Sequence, residues 1–141
     1  MATTRVRALV DAYLEAVRSL DPAAIVFWYA LDAELRDPTL DAPLRGRDAI
    51  AEYYAAFADV QSADWDSVEV FTRGRTAVAW VRGYRLRFRA LANLPVVFPP
   101  TAMRFEERRG LIWRHEELFD TSPVRRQYEA LERLAGGGSG P

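Results

Sequence analysis

The chain has 141 residues, 50% of them hydrophobic and 12% aromatic, and a formal net charge of −1. This length fits one globular domain, and a near-neutral chain without a basic run gives no reason to expect nucleic acid as a partner. With no cysteine, one histidine and no apolar stretch of ~18 residues, the sequence excludes thiolate and histidine-rich metal sites and a membrane span, and it predicts a cytoplasmic protein without metal or cofactor.

The first half of the chain predicts three helices. From Val6 to Val17 apolar side chains recur every three or four residues, with Tyr13 on the same face. Asp21-Pro22 is typical of the N-cap and first turn of a second helix, which we expect to carry Trp28 and Tyr29 before an extended piece from Glu34 to Asp37. A third helix is predicted from about Arg47 to Ala58.

After Ala58 the apolar period falls to about two, which predicts strands. After a short alternation at Val68, Val70 and Thr72, one long strand runs from Val78 to Phe88, with Gly83 as a bulge or bend. A second runs from Val96 to Glu107, with Pro99 and Pro100 confining its start to an edge or bulge. A third runs from Leu111 to Phe119. Turns at 73–75 and 108–110 join neighbouring strands and predict a mostly antiparallel sheet.

The end of the chain completes the predicted fold. Ser122-Pro123 begins a last helix, and Gly136 to Pro141 is expected to be a flexible tail after a domain of residues 1–135. Helices first and strands afterwards indicate an α+β class. We predict a cone, in which three N-terminal helices pack on a strongly curved, mostly antiparallel sheet, with a short C-terminal helix.

Asp37 is the first candidate for chemistry. It precedes Pro38, which disfavours helical backbone, so Asp37 should be extended between two apolar helices and can point inward. A carboxylate in that position is a candidate proton-transfer base. An Asp-Pro pair is equally typical of a turn, or of a cap on the helix that follows.

Several segments together resemble the nuclear-transport-factor-2-like superfamily, and within it the SnoaL-like and ketosteroid-isomerase-like groups, including bacterial steroid delta-isomerases. The segments are Tyr13-Leu14, Asp21-Pro22, Ile25-Val26, Tyr29-Ala30, Asp32-Ala33, Asp37-Pro38, Arg45-Gly46-Arg47, Ile50-Ala51-Glu52-Tyr53-Tyr54 and, more weakly, Met103-Arg104-Phe105. The resemblance covers most of the chain and implies the cone-shaped fold.

The resemblance also implies roles for individual residues. Asp37 would move a proton between two carbons of an enone, and Tyr13 would donate a hydrogen bond to the enolate oxygen, supported by Tyr29 and Tyr54. Thr101 stands where the isomerases carry a protonated aspartic acid as second donor, a device for which ketosteroid isomerase is the standard example. A hydroxyl is a weaker acid, so this oxyanion hole would be poorer. The three tyrosines could equally be ordinary core residues.

The last predicted strand offers an alternative acid/base pair. His115 and Glu117 lie two apart, so they share a face of the strand, and they resemble the His-x-Asp pattern of SnoaL-like polyketide cyclases. They could instead form a solvated pair on an exposed sheet face, or lie in a dimer interface. Limonene-epoxide hydrolases need an arginine and two aspartates around a water. Arg82 matches the arginine, but Tyr84 and His115 stand where the aspartates should be, so this alternative is set aside.

The predicted function is that of a small acid/base enzyme of ketosteroid-isomerase-like type. Its ligand would be a small apolar or carbonyl-containing molecule, and the resemblance implies a homodimer through the outer face of the sheet. The alternatives are a polyketide cyclase and a non-catalytic small-molecule binding module. The expected pocket residues are Trp28, Phe57, Arg82, Tyr84, Phe88, Met103 and Phe119.

Overall fold

The computed structural model describes residues 1–136, which form four α-helices and nine strands. The helices are α1 (Ala2–Ser19), α2 (Pro22–Val26), α3 (Arg47–Tyr54) and α4 (Thr121–Ala135). The strands are β1 (Tyr29–Arg36), β2 (Leu44–Arg45), β3 (Val60–Asp64), β4 (Ser67–Arg73), β5 (Thr76–Arg82), β6 (Arg85–Phe88), β7 (Pro95–Val97), β8 (Thr101–Arg108) and β9 (Leu111–Leu118). Turns of 3-10 helix occupy Ala55–Asp59 and Arg89–Leu91.

The strands form two sheets. Six strands pair in the order β2-β1-β9-β8-β5-β4 and three in the order β3-β6-β7. Every pairing is antiparallel except that of β1 with β9, which is parallel. The prediction of an α+β domain, with helices on a curved, unclosed and mostly antiparallel sheet and a further helix at the end, is confirmed.

Gly83 marks the point where the chain leaves the large sheet for the small one. Its φ is +72°, a conformation that side-chain-bearing residues rarely adopt. A Cβ at this position would lie 2.1 Å from Asp66 Oδ2. The single strand predicted from Val78 to Phe88 is therefore two strands, β5 and β6, and the predicted bend separates the sheets.

Helix α1 covers the concave side of the large sheet. Its predicted apolar face is buried, and the helix extends beyond both predicted ends. On that face Tyr13 is 2% exposed, and its ring lies edge-on to Phe105 of β8 at 5.1 Å. This packing holds the Tyr13 hydroxyl inside the domain.

Some sequence expectations about where elements end were wrong. The second helix was expected to carry Trp28 and Tyr29, but α2 ends at Val26 because the following residues pair with β9. Ile112 N donates to the Trp28 carbonyl, and Tyr29 pairs with Ile112. The predicted strand from Val96 is interrupted before Thr101, because proline has no N–H for a sheet ladder. Strand β3 was not predicted.

The C-terminal prediction is tested only in part. Gly136 follows α4, and the rest of the predicted glycine-rich tail lies outside the described residues. Within residues 1–136, no helix combines the length and apolar character that crossing a bilayer requires.

Candidate active site

A cavity of about 470 Å³ lies inside the domain and opens to its surface. Much of its lining is apolar, from Ala56, Phe57, Leu86, Phe88, Phe98, Phe119 and Val124. Its polar lining groups are Tyr13, Asp37, Thr39, Tyr53, Tyr54, Tyr84, Glu117, Thr121, Arg125 and Tyr128. An apolar chamber with a few converging polar groups is the usual form of a small-molecule site.

Asp37 is held in the cavity wall by three hydrogen bonds. Its Oδ1 accepts from Thr39 N at 2.7 Å and from Thr39 Oγ1 at 2.5 Å, and its Oδ2 accepts from Tyr53 OH at 2.7 Å. The residue is 8% exposed. The turn expected of an Asp-Pro pair is therefore present, because Asp37 Oδ1 accepts from Thr39 two residues on. The same side chain also lines the cavity.

The parallel pairing of β1 with β9 explains how Asp37 comes to lie beside Glu117. Leu35 pairs with His115 and Arg36 with Glu116, so the next step in the register places Asp37 opposite Glu117. Side chains two apart on a strand share a face. Both carboxyl groups therefore point into the same cavity.

Three phenols and one imidazole form a buried chain behind the cavity wall. The Tyr13 and Tyr54 hydroxyls lie 2.8 Å apart, as do those of Tyr54 and Tyr29. The Tyr29 hydroxyl lies 2.5 Å from His115 Nδ1. Tyr13 and Tyr54 line the cavity, whereas Tyr29 and His115 do not. The chain thus leads from the cavity into the core.

His115 and Glu117 share the inward face of β9, and Nε2 of His115 lies 3.6 Å from Oε1 of Glu117. That separation exceeds hydrogen-bond distance, and Nε2 has no hydrogen-bond partner among the described residues. The His115 ring stacks on Phe105 with centroids 4.5 Å apart. The histidine is therefore a core residue, and the glutamate is the member of the pair that reaches the cavity.

Burial and charge set the protonation of these groups. Burial, together with the Asp37 carboxyl close by, raises the pKa of Glu117 to about 8, so Glu117 is mostly protonated at neutral pH. Burial lowers the pKa of His115 to about 3, so the imidazole is neutral. Burial also raises the pKa of Tyr13 well above its usual value. The carboxyl group of Glu117 therefore carries a proton that it can donate inside the site near pH 7.

Some predicted site residues lie elsewhere. Thr101 is buried, but it is absent from the cavity lining and its hydroxyl donates to the Pro99 carbonyl at 2.9 Å, so it is not placed as a second donor. Arg82 is exposed because it alternates with the buried Val81 on β5. Of the expected pocket residues, Phe57, Tyr84, Phe88 and Phe119 do line the cavity.

Met103 and Trp28 are also outside the cavity lining. Met103 pairs with Glu117 across the sheet and is buried in the core. Trp28 packs edge-on against Phe27 with centroids 5.1 Å apart. The expectation that Trp28 lines the pocket is wrong.

Sequence reasoning missed several residues that line the cavity, among them Tyr53, Thr39 and Tyr128. Tyr53 had no role in the predicted site, yet its hydroxyl donates to Asp37, while that of the adjacent Tyr54 bonds to Tyr13. Thr39 was signalled by its place two residues after an aspartate, the spacing of an Asx turn. Tyr128 lies on α4, and nothing in the sequence pattern indicates that this helix closes the cavity.

Comparison with known proteins gives one family match. The family model of the SnoaL-like domain matches residues 10–115. A curated relative, the steroid Delta-isomerase of Nocardioides simplex, is 48% identical over 56 residues. That match covers 40% of this chain and 46% of the relative, so it spans about half of the relative's length.

Solved structures share the fold over nearly the whole chain. A Catenulispora acidiphila protein described as having a ketosteroid isomerase-like fold, solved in complex with trimethylamine, has a TM-score of 0.71 and 21% identity, covering 84% of this chain and 90% of its own. The epoxide hydrolase/cyclase-like enzyme SalBIII, described with a role in pyran ring formation in the polyether salinomycin, has a TM-score of 0.71 and 18% identity, covering 87% and 97%.

Proposed function

Because the chain belongs to the SnoaL-like domain family, we propose that it is a cofactor-independent acid/base enzyme that moves a proton alpha to a carbonyl group. The observation that carries this proposal is the convergence of Asp37 and Tyr13 on one largely apolar cavity. A base and a hydrogen-bond donor on opposite sides of a bound ketone are what enolisation needs.

The cavity groups divide the reaction between them. Asp37 takes the proton from the alpha carbon, the C–H electron pair moves toward the carbonyl oxygen, and the Tyr13 hydroxyl donates to the enolate that forms. Asp37 then returns the proton to a different carbon, which isomerises the substrate. Hydrogen bonds from Thr39 and Tyr53 fix the orientation of the Asp37 carboxylate.

Glu117 is the second acid of this site. With Thr101 bonded to the Pro99 carbonyl, the protonated carboxyl of Glu117 is the group beside Asp37 that can still donate. A neutral Glu117 also avoids a second negative charge in the apolar chamber. We therefore expect turnover to fall as the pH rises through about 8, the pKa of Glu117.

The substrate proposed is an apolar ketone. The aromatic and aliphatic lining favours a hydrophobic skeleton, and about 470 Å³ accommodates a molecule of several fused or linked rings. A steroid-like beta,gamma-unsaturated ketone meets both requirements and is the first substrate to test.

Replacing Asp37 by asparagine tests the proposal. Asp37→Asn keeps the shape of the side chain but removes the base, so turnover of a beta,gamma-unsaturated ketone should fall at least 100-fold, the lower end of what a positioned base contributes at roughly 10²–10⁴. Circular dichroism and thermal melting should show an intact fold. Unchanged turnover by the asparagine variant would refute Asp37 as the base.

A polyketide-type cyclase is the second candidate, and the position of Glu117 in the cavity favours it. In that reaction Glu117 carries the proton, so Glu117→Gln should lower turnover more than Asp37→Asn does. A purely binding protein would instead hold an apolar ketone equally well in both variants and convert none of it.

We also propose that the chain forms a homodimer. The outer face of the large sheet carries the half-buried Trp80, and Leu118 at the end of β9 is 53% exposed. Sedimentation velocity would show a species of twice the chain mass.

A further inference from the structure

The direction of the hydrogen bonds in the phenol chain is not fixed by the phenols. Each hydroxyl can donate or accept, so the run from Tyr13 through Tyr54 to Tyr29 can point either way. It ends at Nδ1 of His115, which is a donor in one neutral tautomer and an acceptor in the other. The tautomer of His115 therefore decides whether the Tyr13 hydroxyl turns its proton or a lone pair toward the cavity.

The surroundings of His115 favour one tautomer. Nδ1 has a close partner in the Tyr29 hydroxyl at 2.5 Å, whereas Nε2 has none, its nearest acidic oxygen being Glu117 Oε1 at 3.6 Å. A buried N–H without an acceptor is rarer and more costly than a buried lone pair without a donor. The proton of the neutral imidazole therefore belongs on Nδ1.

The ring is also held in the orientation that this bond requires. Phe105 of β8 stacks on it at 4.5 Å with planes 16° apart, and Tyr13 of α1 lies edge-on at 5.2 Å. Tyr29 of β1 and Glu117 of β9 supply the polar and titratable groups that face the ring from its other sides. No positively charged group is among these contacts.

We propose that His115 is a positioning residue that, as the Nδ1–H tautomer, directs the phenol protons outward so that the Tyr13 hydroxyl donates into the cavity. His115 donates to Tyr29, Tyr29 to Tyr54, and Tyr54 to Tyr13, which leaves the Tyr13 proton for a bound oxygen. The other tautomer would turn the Tyr13 proton inward and present a lone pair to an enolate. A catalytic use for the Tyr13 proton rests on the proposed function, whereas both tests of this inference can be made without turnover.

The first test is spectroscopic and uses the unmodified protein. Because the chain has one histidine, ¹⁵N-labelled histidine gives a single pair of ring signals. Long-range ¹H–¹⁵N correlation near pH 7 should show a protonated Nδ1 and an unprotonated Nε2. A protonated Nε2 would overturn the proposal, whatever the protein's activity.

The second test measures what Tyr13 presents to a ligand. Ionised para-nitrophenol serves as the oxyanion probe and nitrobenzene as the matched neutral probe. His115→Phe should weaken binding of the phenolate about tenfold, the worth of one hydrogen bond, and leave nitrobenzene binding unchanged. His115→Gln, whose amide can still donate to Tyr29, should restore most of the loss.

The two probes separate positioning from structure. Equal weakening of both probes by His115→Phe, or no recovery with glutamine, would mean that His115 only fills the core, and would overturn the proposal. Neither test needs turnover. A protein that fails to convert any ketone while showing the Nδ1–H tautomer and the selective loss of phenolate would refute the enzymatic function and leave this inference standing.

Discussion

Replacing Glu117 by glutamine should remove a specific pH dependence of stability. Burial and the nearby Asp37 raise the pKa of Glu117 from its ordinary value of 4.5 to about 8. Between these values the unfolded chain releases the proton while the folded chain keeps it, so the free energy of unfolding falls as the pH rises. The slope is about 1.4 kcal/mol per pH unit.

His115 opposes this slope over part of the range. Burial lowers its pKa from 6.5 to about 3, so between these values the unfolded chain binds a proton that the folded chain does not. Its contribution makes stability rise with pH up to 6.5. The two slopes cancel between pH 4.5 and 6.5, and only that of Glu117 remains from pH 6.5 to 8. Over that interval the protein should lose about 2 kcal/mol.

Urea denaturation at pH 6.5 and at pH 8 measures this loss. The wild-type protein should lose about 2 kcal/mol between them, and Glu117→Gln, which cannot ionise, should lose almost none. Glu116→Gln is the matched control, because it removes a carboxyl group from the neighbouring residue, on the opposite face of β9, and should behave as wild type. Equal losses in wild type and Glu117→Gln would refute the burial argument.

Three further substitutions test the packing around the site. Phe105→Ala should cost about 3–5 kcal/mol of unfolding free energy in urea, since the ring is fully buried, and a cost below about 1 would contradict the core assignment. Tyr53→Phe removes the hydrogen bond from the Tyr53 hydroxyl to Asp37 Oδ2, so the free energy of unfolding should fall by about 1–3 kcal/mol, and an unchanged melting temperature would contradict this. Gly83→Ala should destabilise the protein more than Gly74→Ala does. Both glycines have positive φ, so each alanine costs about 1–2 kcal/mol of backbone strain, but only the Cβ at position 83 also meets a side chain, that of Asp66. Equal losses of unfolding free energy would show that this contact is unimportant.

Local patterns in the sequence were enough to predict the helical parts. The apolar repeat of α1 and the Asp21 N-cap each depend on residues close together in the chain, and both are present, with Asp21 accepting from Ala23 N. The predicted hairpins of the large sheet also follow from short turns. These features need no information from distant segments.

The errors occur where distant segments decide. Tyr29 was assigned to a helix because the local pattern continues to it, but pairing with Ile112, far along the chain, makes it the first residue of β1. Val60 to Asp64 became a strand only because β6 lies alongside it. Local periodicity cannot contain that information.

In the candidate site, too, local motifs identified some residues, whereas contacts formed only in the folded chain could not be predicted. Asp37, Tyr13 and Glu117 were named from motifs, and all three line one cavity. The sequence could not show that the Thr101 hydroxyl donates to the Pro99 carbonyl, since this hydrogen bond depends on the folded geometry of the chain. The catalytic roles of these residues remain predictions until turnover is measured.

The parallel pairing of β1 with β9 has a consequence for biosynthesis. Asp37 leaves the ribosome before Glu117 and before the α4 residues that close the cavity. Contacts between segments so distant in sequence slow folding, because a long loop must close before they form. A nascent chain halted before β9 would leave β1 and β8 without the strand that lies between them and the chamber half-built, and would need a chaperone or rapid completion to escape aggregation.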